Sequence, residues 1–236
     1  MTDSSPIVLI SGSRKGIGRA LAEHYLARNW MVVGCSRGAA SIAHDNYAHY
    51  EVDITDETRV IAFLRDALRE HGTPYALLNN AGIAAMNALT LTPGKTAWGV
   101  MSTNILGTFY LIRETAKGMI RQRGGRIVNF TSIARPLALE GEAVYAASKA
   151  AVESLTQSAA REFGSHGITV NAVGPCPVRT DLLNGVSEKA LGSLQKRQTI
   201  QRLAEFSDIA NVTDFFLRPE SSMITGQTLY LGGAYA

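Results

Sequence analysis

An alternation constrains this chain more than any other feature. Short, nearly unbroken apolar runs lie at residues 7–10, 31–34, 75–78, 126–130, 168–173 and 228–231, with a shorter one at 50–52. Between them come longer amphipathic stretches at 17–28, 56–71, 97–121, 143–163 and 207–217. Runs of Val, Ile and Leu without strict alternation are what strands covered on both faces look like. Such strands, taking turns with helices, pack as a parallel sheet with helices on both sides. The spacing predicts one α/β domain over residues 1–236, a doubly wound parallel sheet of about seven strands. With 236 residues, 46% of them hydrophobic, the chain is long enough to bury that core, and no repeat or low-complexity tail divides it. Residues 182–202, mostly polar and following a proline-bearing strand exit, break the pattern. They read either as a helical excursion able to move or as an ordinary surface helix.

Charge and cysteine content narrow the function classes. The formal net charge is +3 and 18% of residues are charged. These charges are scattered rather than gathered into a stripe, which argues against nucleic acid as a partner. The opening MTDSSPIVLI lacks the basic start and long apolar run of a secretion signal. No segment reaches the ~20 uninterrupted apolar residues of a membrane span. Cys35 and Cys176 form neither a metal-ligand spacing nor a disulfide framework. The expectation is a cytoplasmic protein with reduced thiols, no metal and no membrane partner.

Between the first apolar run and the first amphipathic stretch lies SGSRKGIG, in which Gly12, Gly16 and Gly18 frame Ser13, Arg14, Lys15 and Ile17. A glycine bend at this junction is where an open parallel sheet receives phosphates. Missing side chains let backbone approach the ligand, and the helix start offers unpaired N–H groups with partial positive charge. Arg14 and Lys15 suit a polyanion there, although a flexible turn with solvated charges would show the same residues. The spacing G-x-x-x-G-x-G differs from the usual dinucleotide pattern G-x-G-x-x-G.

With Ser11 before it, the bend resembles the Thr-Gly-x-x-x-Gly-x-Gly signature of the short-chain dehydrogenase/reductases, the serine keeping the hydroxyl. The resemblance continues in order along the chain. NNAG at 79–82 contains Asn80, Ala81 and Gly82, and Asn104 lies in STNILGTF. A TS pair ends at Ser132, YAASK runs from Tyr145 to Lys149, NAVGPCPVRT contains Pro175, Val178 and Thr180, and ITGQTLYLGG stands near the end. The resemblance implies a Rossmann-type fold and a nicotinamide dinucleotide bound along these motifs, with Tyr145 and Lys149 also touching it.

Which dinucleotide is read from the end of the second apolar run. A carboxylate there suits the ribose hydroxyls of NAD, whereas a nearby arginine suits a 2′-phosphate. VVGCSRG offers Arg37 and no acid, so with Arg14 and Lys15 the expectation is NADPH/NADP+; the plainer reading is solvated cations. Asp53 and Ile54 follow the third run. Asp53 matches the family's aspartate at the adenine, or else joins Asp56 and Glu57 in an acidic helix start.

The resemblance assigns catalysis to Asn104, Ser132, Tyr145 and Lys149. Tyr145 would exchange a proton with the substrate oxygen, Ser132 would hydrogen-bond that oxygen, Lys149 would bind the nicotinamide ribose, and Asn104 would position a water. Tyr145 and Lys149, four apart on a helix, share a face. An ammonium ~4 Å from a phenolate at an effective dielectric of ~20 attracts it by on the order of 4 kcal/mol, which caps the lowering of the phenol pKa at about three units.

The sequence departs from the family at Cys176, where glycine is usual, with Pro177 beside it. Overall the chain is most similar to β-ketoacyl-[acyl carrier protein] reductases. That resemblance implies reduction of a 3-oxoacyl thioester, in fatty acid or polyketide metabolism, with acyl carrier protein as a partner. Lys117, Arg121, Arg123 and Arg126 would then guide an acidic carrier, or else form a solvated helix end. The alternative is a carbonyl reductase or alcohol dehydrogenase acting on a free small molecule. A non-catalytic NADPH-binding protein is disfavoured because the catalytic set is complete. The mostly polar excursion would give a mobile substrate lid at about residues 180–203, and the family implies a homotetramer or homodimer built on the long helices and the last strand.

Overall fold

The computed structural model describes residues 5–180 and 188–233. In chain order it holds β1 (Ile7–Ser11), α1 (Gly16–Leu26), β2 (Met31–Ser36), β3 (Tyr47–Glu51), α2 (Glu57–His71), β4 (Ala76–Asn79), α3 (Gly94–Met101) and α4 (Thr108–Gln122). Then follow β5 (Gly125–Phe130), α5 (Ala134–Leu137), α6 (Ala143–Phe163), β6 (Ile168–Gly174), α7 (Glu188–Lys196), α8 (Phe206–Leu217) and β7 (Thr228–Tyr230). The strands make one seven-stranded sheet in the order β3-β2-β1-β4-β5-β6-β7. Every neighbouring pair is parallel, as the unbroken apolar runs require.

Alternate side chains of each strand feed different cores. Val8 and Ile10 of β1 join Leu78 and Val128 in a core with Leu21 and Tyr25 of α1 and Ile209 and Phe216 of α8. Leu9, between them, joins Leu77 and Ile127 in a second core with Phe63 and Leu64 of α2 and Leu111 and Met119 of α4. Hence α1 and α8 cover one face, and α2 and α4 cover the other. Strand order runs outward from β1 to β3, then resumes on the opposite side at β4. This reversal opens a crevice at the C-terminal ends of β1 and β4, where ligands of such sheets bind.

Local differences from the expected elements have physical causes. The third strand begins earlier, at Tyr47, because pairing along β2 extends it beyond what its mixed composition suggests. The helix expected over 97–121 is interrupted. Residues Ser102–Gly107 wind as a π-helix between α3 and α4, a widened turn often found at functional sites. Within the expected lid, α7 is a helix, while residues 181–187 lie outside the described residues. Among the described residues no helix is long and apolar enough to cross a membrane, and no acid, His or Cys cluster could hold a metal.

Candidate active site

The crevice deepens into a cleft of about 550 Å³. At one end stands the glycine bend. Gly12 and Gly16 take φ of +71° and +56°, a region costly for residues with a side chain. A Cβ on Gly18 would fall 2.2 Å from the Gly12 carbonyl oxygen and 2.4 Å from Asn80 Nδ2. Asn80 Nδ2 donates to the carbonyl oxygens of Ser11 (3.0 Å) and Gly12 (3.3 Å), and the Ala81 N–H donates to Ser11 Oγ (3.1 Å). The hydroxyl at position 11 thus ties the bend to β4's exit, which is why serine can stand for threonine.

Capping separates this helix start from that of α2. At α2, Asp56 accepts from the Arg59 N–H at 3.1 Å, and Glu57 adds an acid in the first turn. Asp53 lines the cleft, one oxygen accepting from Thr55 N–H and Oγ1. At α1, no side chain caps the start and no acid lies in the first turn. Its N–H groups and positive end face the cleft, a cradle that fits phosphate oxygens.

Gly12, Arg14, Lys15, Gly16, Ile17, Arg37, Ile54, Asn80, Ala81, Gly82, Pro175, Val178 and Thr180 also line the cleft. Ser13 and Gly18 lie beneath this lining and shape the bend. Ser13 is fully buried and bonded to Tyr47, and Gly18 packs against Gly12.

Asn104, in the π-helical turn, lies behind the cleft wall. Its amide accepts from the Ile83 N–H and donates to the Ile83 carbonyl, both at 2.9 Å, and also donates to Ser148 Oγ at 2.9 Å. Ser148 Oγ in turn donates to the Tyr145 carbonyl at 2.7 Å. One amide therefore braces the strand exit beside Gly82 against α6. Tyr145, Lys149 and Ser132 all line the same part of the cleft.

The electrostatics differ from the expected phenol made acidic by its neighbour. Lys149 is buried, donates to the Phe130 carbonyl at 2.7 Å, and holds Nζ 5.7 Å from the Tyr145 ring centroid. Burial pulls its pKa down to about 8. Tyr145 moves the other way, to about 12: burial raises it, the Ser132 hydroxyl opposes that through a hydrogen bond, and the Glu142 carboxylate adds to it. Loss of water is the largest cause at both groups, so the phenol holds its proton at neutral pH.

Beyond Tyr145 the lining is mostly apolar, with Met86, Ile133, Ala134, Leu139 and Leu194. Glu142 is the carboxylate among them, and burial raises its pKa. Cys176 lines the wall too; it is buried, and its thiol pKa is pushed up, so it fills space rather than supplying a nucleophile. Sequence reading missed Ser36, Thr103, Met86 and Leu194, because no spacing rule says which loop residues converge. Ser36 and Thr103 carried a signal, being next to Arg37 and Asn104.

The expected carrier-docking cations are not beside this cleft. Arg121 and Arg123 stand where α4 passes into β5, whereas the cleft takes Phe130 to Ser132 from β5's other end. A strand of that length separates the two by roughly 20 Å. Arg126 is buried over the Tyr75 ring, and Lys117 is paired with Glu114 at 2.5 Å. This cluster does not present a charged face at the cleft mouth.

A family model described as enoyl-(acyl carrier protein) reductase matches residues 12–235. Among curated proteins, 3-oxoacyl-[acyl-carrier-protein] reductase FabG of Vibrio harveyi is 33% identical over 233 residues, 96% of each chain. The protein of that name from Staphylococcus aureus is 32% identical over 236 residues, 95% of this chain and 96% of its own. Among solved structures, ElxO with NADP bound superposes with a TM-score of 0.90 at 31% identity, covering 98% of both chains. Ligand-free aldohexose dehydrogenase of Thermoplasma acidophilum gives 0.90 at 28% identity, covering 98% of this chain and 94% of that one. The chain belongs to the short-chain dehydrogenase/reductase family of oxidoreductases.

Proposed function

We propose that the protein is an NADPH-dependent reductase that converts a ketone to a secondary alcohol, with a 3-oxoacyl thioester as substrate. The observation carrying this reading is the shared cleft wall of Ser132 and a buried, protonated Tyr145, with Lys149 behind them. A carbonyl oxygen there meets two hydroxyl donors. A bound reduced nicotinamide would supply the hydride to the carbonyl carbon. Tyr145 gives its proton to the oxygen as negative charge grows there, Ser132 orients that oxygen, and Lys149 with Asn104 holds the proton-handling side of α6 in place. The bend at Gly12, Gly16 and Gly18 would hold the pyrophosphate, Asp53 the adenosine end, and Arg14, Lys15 and Arg37 the additional phosphate. FabG relatives and the NADP-bound ElxO support this assignment. The apolar lining around Leu139 and Leu194 suits an acyl chain. Cytoplasmic placement and a homotetramer belong to the same reading.

A second reading, reduction of a free small-molecule ketone, is favoured by one observation: Arg121 and Arg123 lie at the end of β5 away from the cleft. Substrate-dependent NADPH loss, measured with acetoacetyl thioesters, carrier-linked 3-oxoacyl groups and free ketones, decides between them. Faster turnover of the thioesters supports the first, and preference for free ketones supports the second. Tyr145→Phe should lower turnover by about 10²–10⁴-fold while NADPH binding persists; retained turnover would refute the assignment.

A further inference from the structure

Beneath the glycine bend runs a line of hydrogen bonds that the proposed chemistry does not use. Ser13 Oγ lies 2.9 Å from Tyr47 OH, which lies 2.9 Å from His49 Nδ1. His49 Nε2 is 2.9 Å from the Gly38 carbonyl oxygen and 3.1 Å from Ser36 Oγ, and Ser36 Oγ also donates to that carbonyl at 2.9 Å. A carbonyl can only accept, so Nε2 carries the hydrogen in the neutral ring. Nδ1 then accepts from the Tyr47 phenol, whose oxygen is left to accept from Ser13. The donors therefore point one way, from the bend to the turn after β2.

Space for this line is built into the sheet. Tyr47 and His49 are two apart on β3 and so share a face. His49 is paired in register with Gly34. A Cβ on Gly34 would lie 2.3 Å from Ser13 Oγ and 2.5 Å from Tyr47 OH. Ser13 is fully buried, so its hydroxyl depends on this protein partner.

What the line holds together is charge. Arg37 sits between Ser36 and Gly38, both pinned by it. The Arg14 guanidinium packs over Gly38, 3.3 Å from where a Cβ there would stand. Ser41 Oγ donates to the Arg14 carbonyl at 2.5 Å, tying the bend to the chain beyond that turn. Both arginines line the cleft at this end.

We propose that Ser13, Tyr47 and His49 are positioning residues that fix the bend relative to the 36–38 turn, and so set the protein's discrimination between phosphorylated and unphosphorylated ribose. The inference rests on the NADPH reading above. Two guanidinium groups can grip one phosphate only when their separation is held, whereas a ribose without phosphate makes no such demand.

The test is a fluorescence titration of NADPH and NADH binding to purified Tyr47→Phe, His49→Phe, His49→Gln and Arg37→Ala, with melting temperatures measured alongside. Loss of one bridging bond should weaken NADPH binding roughly tenfold in Tyr47→Phe and His49→Phe while NADH binding changes little. The KM for NADPH should rise with kcat at saturation unchanged. His49→Gln, whose amide can still donate to the Gly38 carbonyl, should recover most of the loss. If Arg37→Ala erodes NADPH preference but the Tyr47 and His49 variants do not, the positioning role is wrong and the cofactor reading stands. Equal weakening of both cofactors with a lower melting temperature would also overturn it, as a merely structural effect. If Arg37→Ala leaves the preference unchanged, the cofactor reading itself falls, and this inference with it.

Discussion

The two ends of the cleft are built on different principles. At the bend, shape is imposed by backbone: Gly12, Gly18 and Asn80 approach so closely that a single added carbon collides. At the far end, shape is imposed by side chains from separate loops, among them Met86, Leu139, Glu142 and Leu194. The first design tolerates one type of residue at each position, and the second tolerates many of similar bulk. Under the proposed function, the contrast teaches that cofactor binding is a steric requirement of this fold, while substrate choice is an adjustable lining.

Three measurements would break or sharpen that contrast. The largest effect is expected at the rigid end. Gly18→Ala should cost about 1–3 kcal/mol of stability and abolish tight dinucleotide binding, read by chemical denaturation and NADPH titration. Wild-type behaviour in both would mean the bend can yield, and the contrast would be lost.

A middling effect is expected where the two ends meet, at Lys149. Its pKa falls to about 8 in the folded chain, from 10.5. Between those values the unfolded chain binds more protons, so this group makes stability rise with pH from about 8 to 10.5. Tyr145, raised from 10 to about 12, acts oppositely, its contribution being lost above pH 10. Subtracting the Lys149→Met curve from wild type, both without cofactor, should leave the rising component. A flat difference would show that the amine is solvated.

The smallest effect belongs to the adjustable end. Glu142→Gln removes the carboxylate that raises the Tyr145 pKa. The limb assigned to Tyr145 in the pH profile of alcohol oxidation should shift to lower pH, with NADPH affinity unchanged. A shift upward would place the carboxylate's influence elsewhere.

Much of this was legible without coordinates. Unbroken Val, Ile and Leu runs specified the parallel strands, and the bend announced itself because only glycine meets its steric demands. Tyr145 and Lys149 were legible as partners on one helix face, but their pKa directions were not. Those depend on burial, which four-residue spacing does not encode. The π-helical turn around Asn104 was hidden for a similar reason, since its amide is satisfied by Ile83 and Ser148, distant in sequence. The distance of Arg121, Arg123 and Arg126 from the cleft was not legible either, because a basic run looks alike at either end of a strand.

The distance of that cluster from the cleft has a practical side. Arg121 and Arg123 are exposed at the strands' entry edge, roughly 20 Å from the end of β5 that reaches Ser132. An anionic resin or electrode that captured the protein there would leave the mouth of the cleft turned outward. Immobilisation through this edge would thus orient the protein with its cleft open to solution.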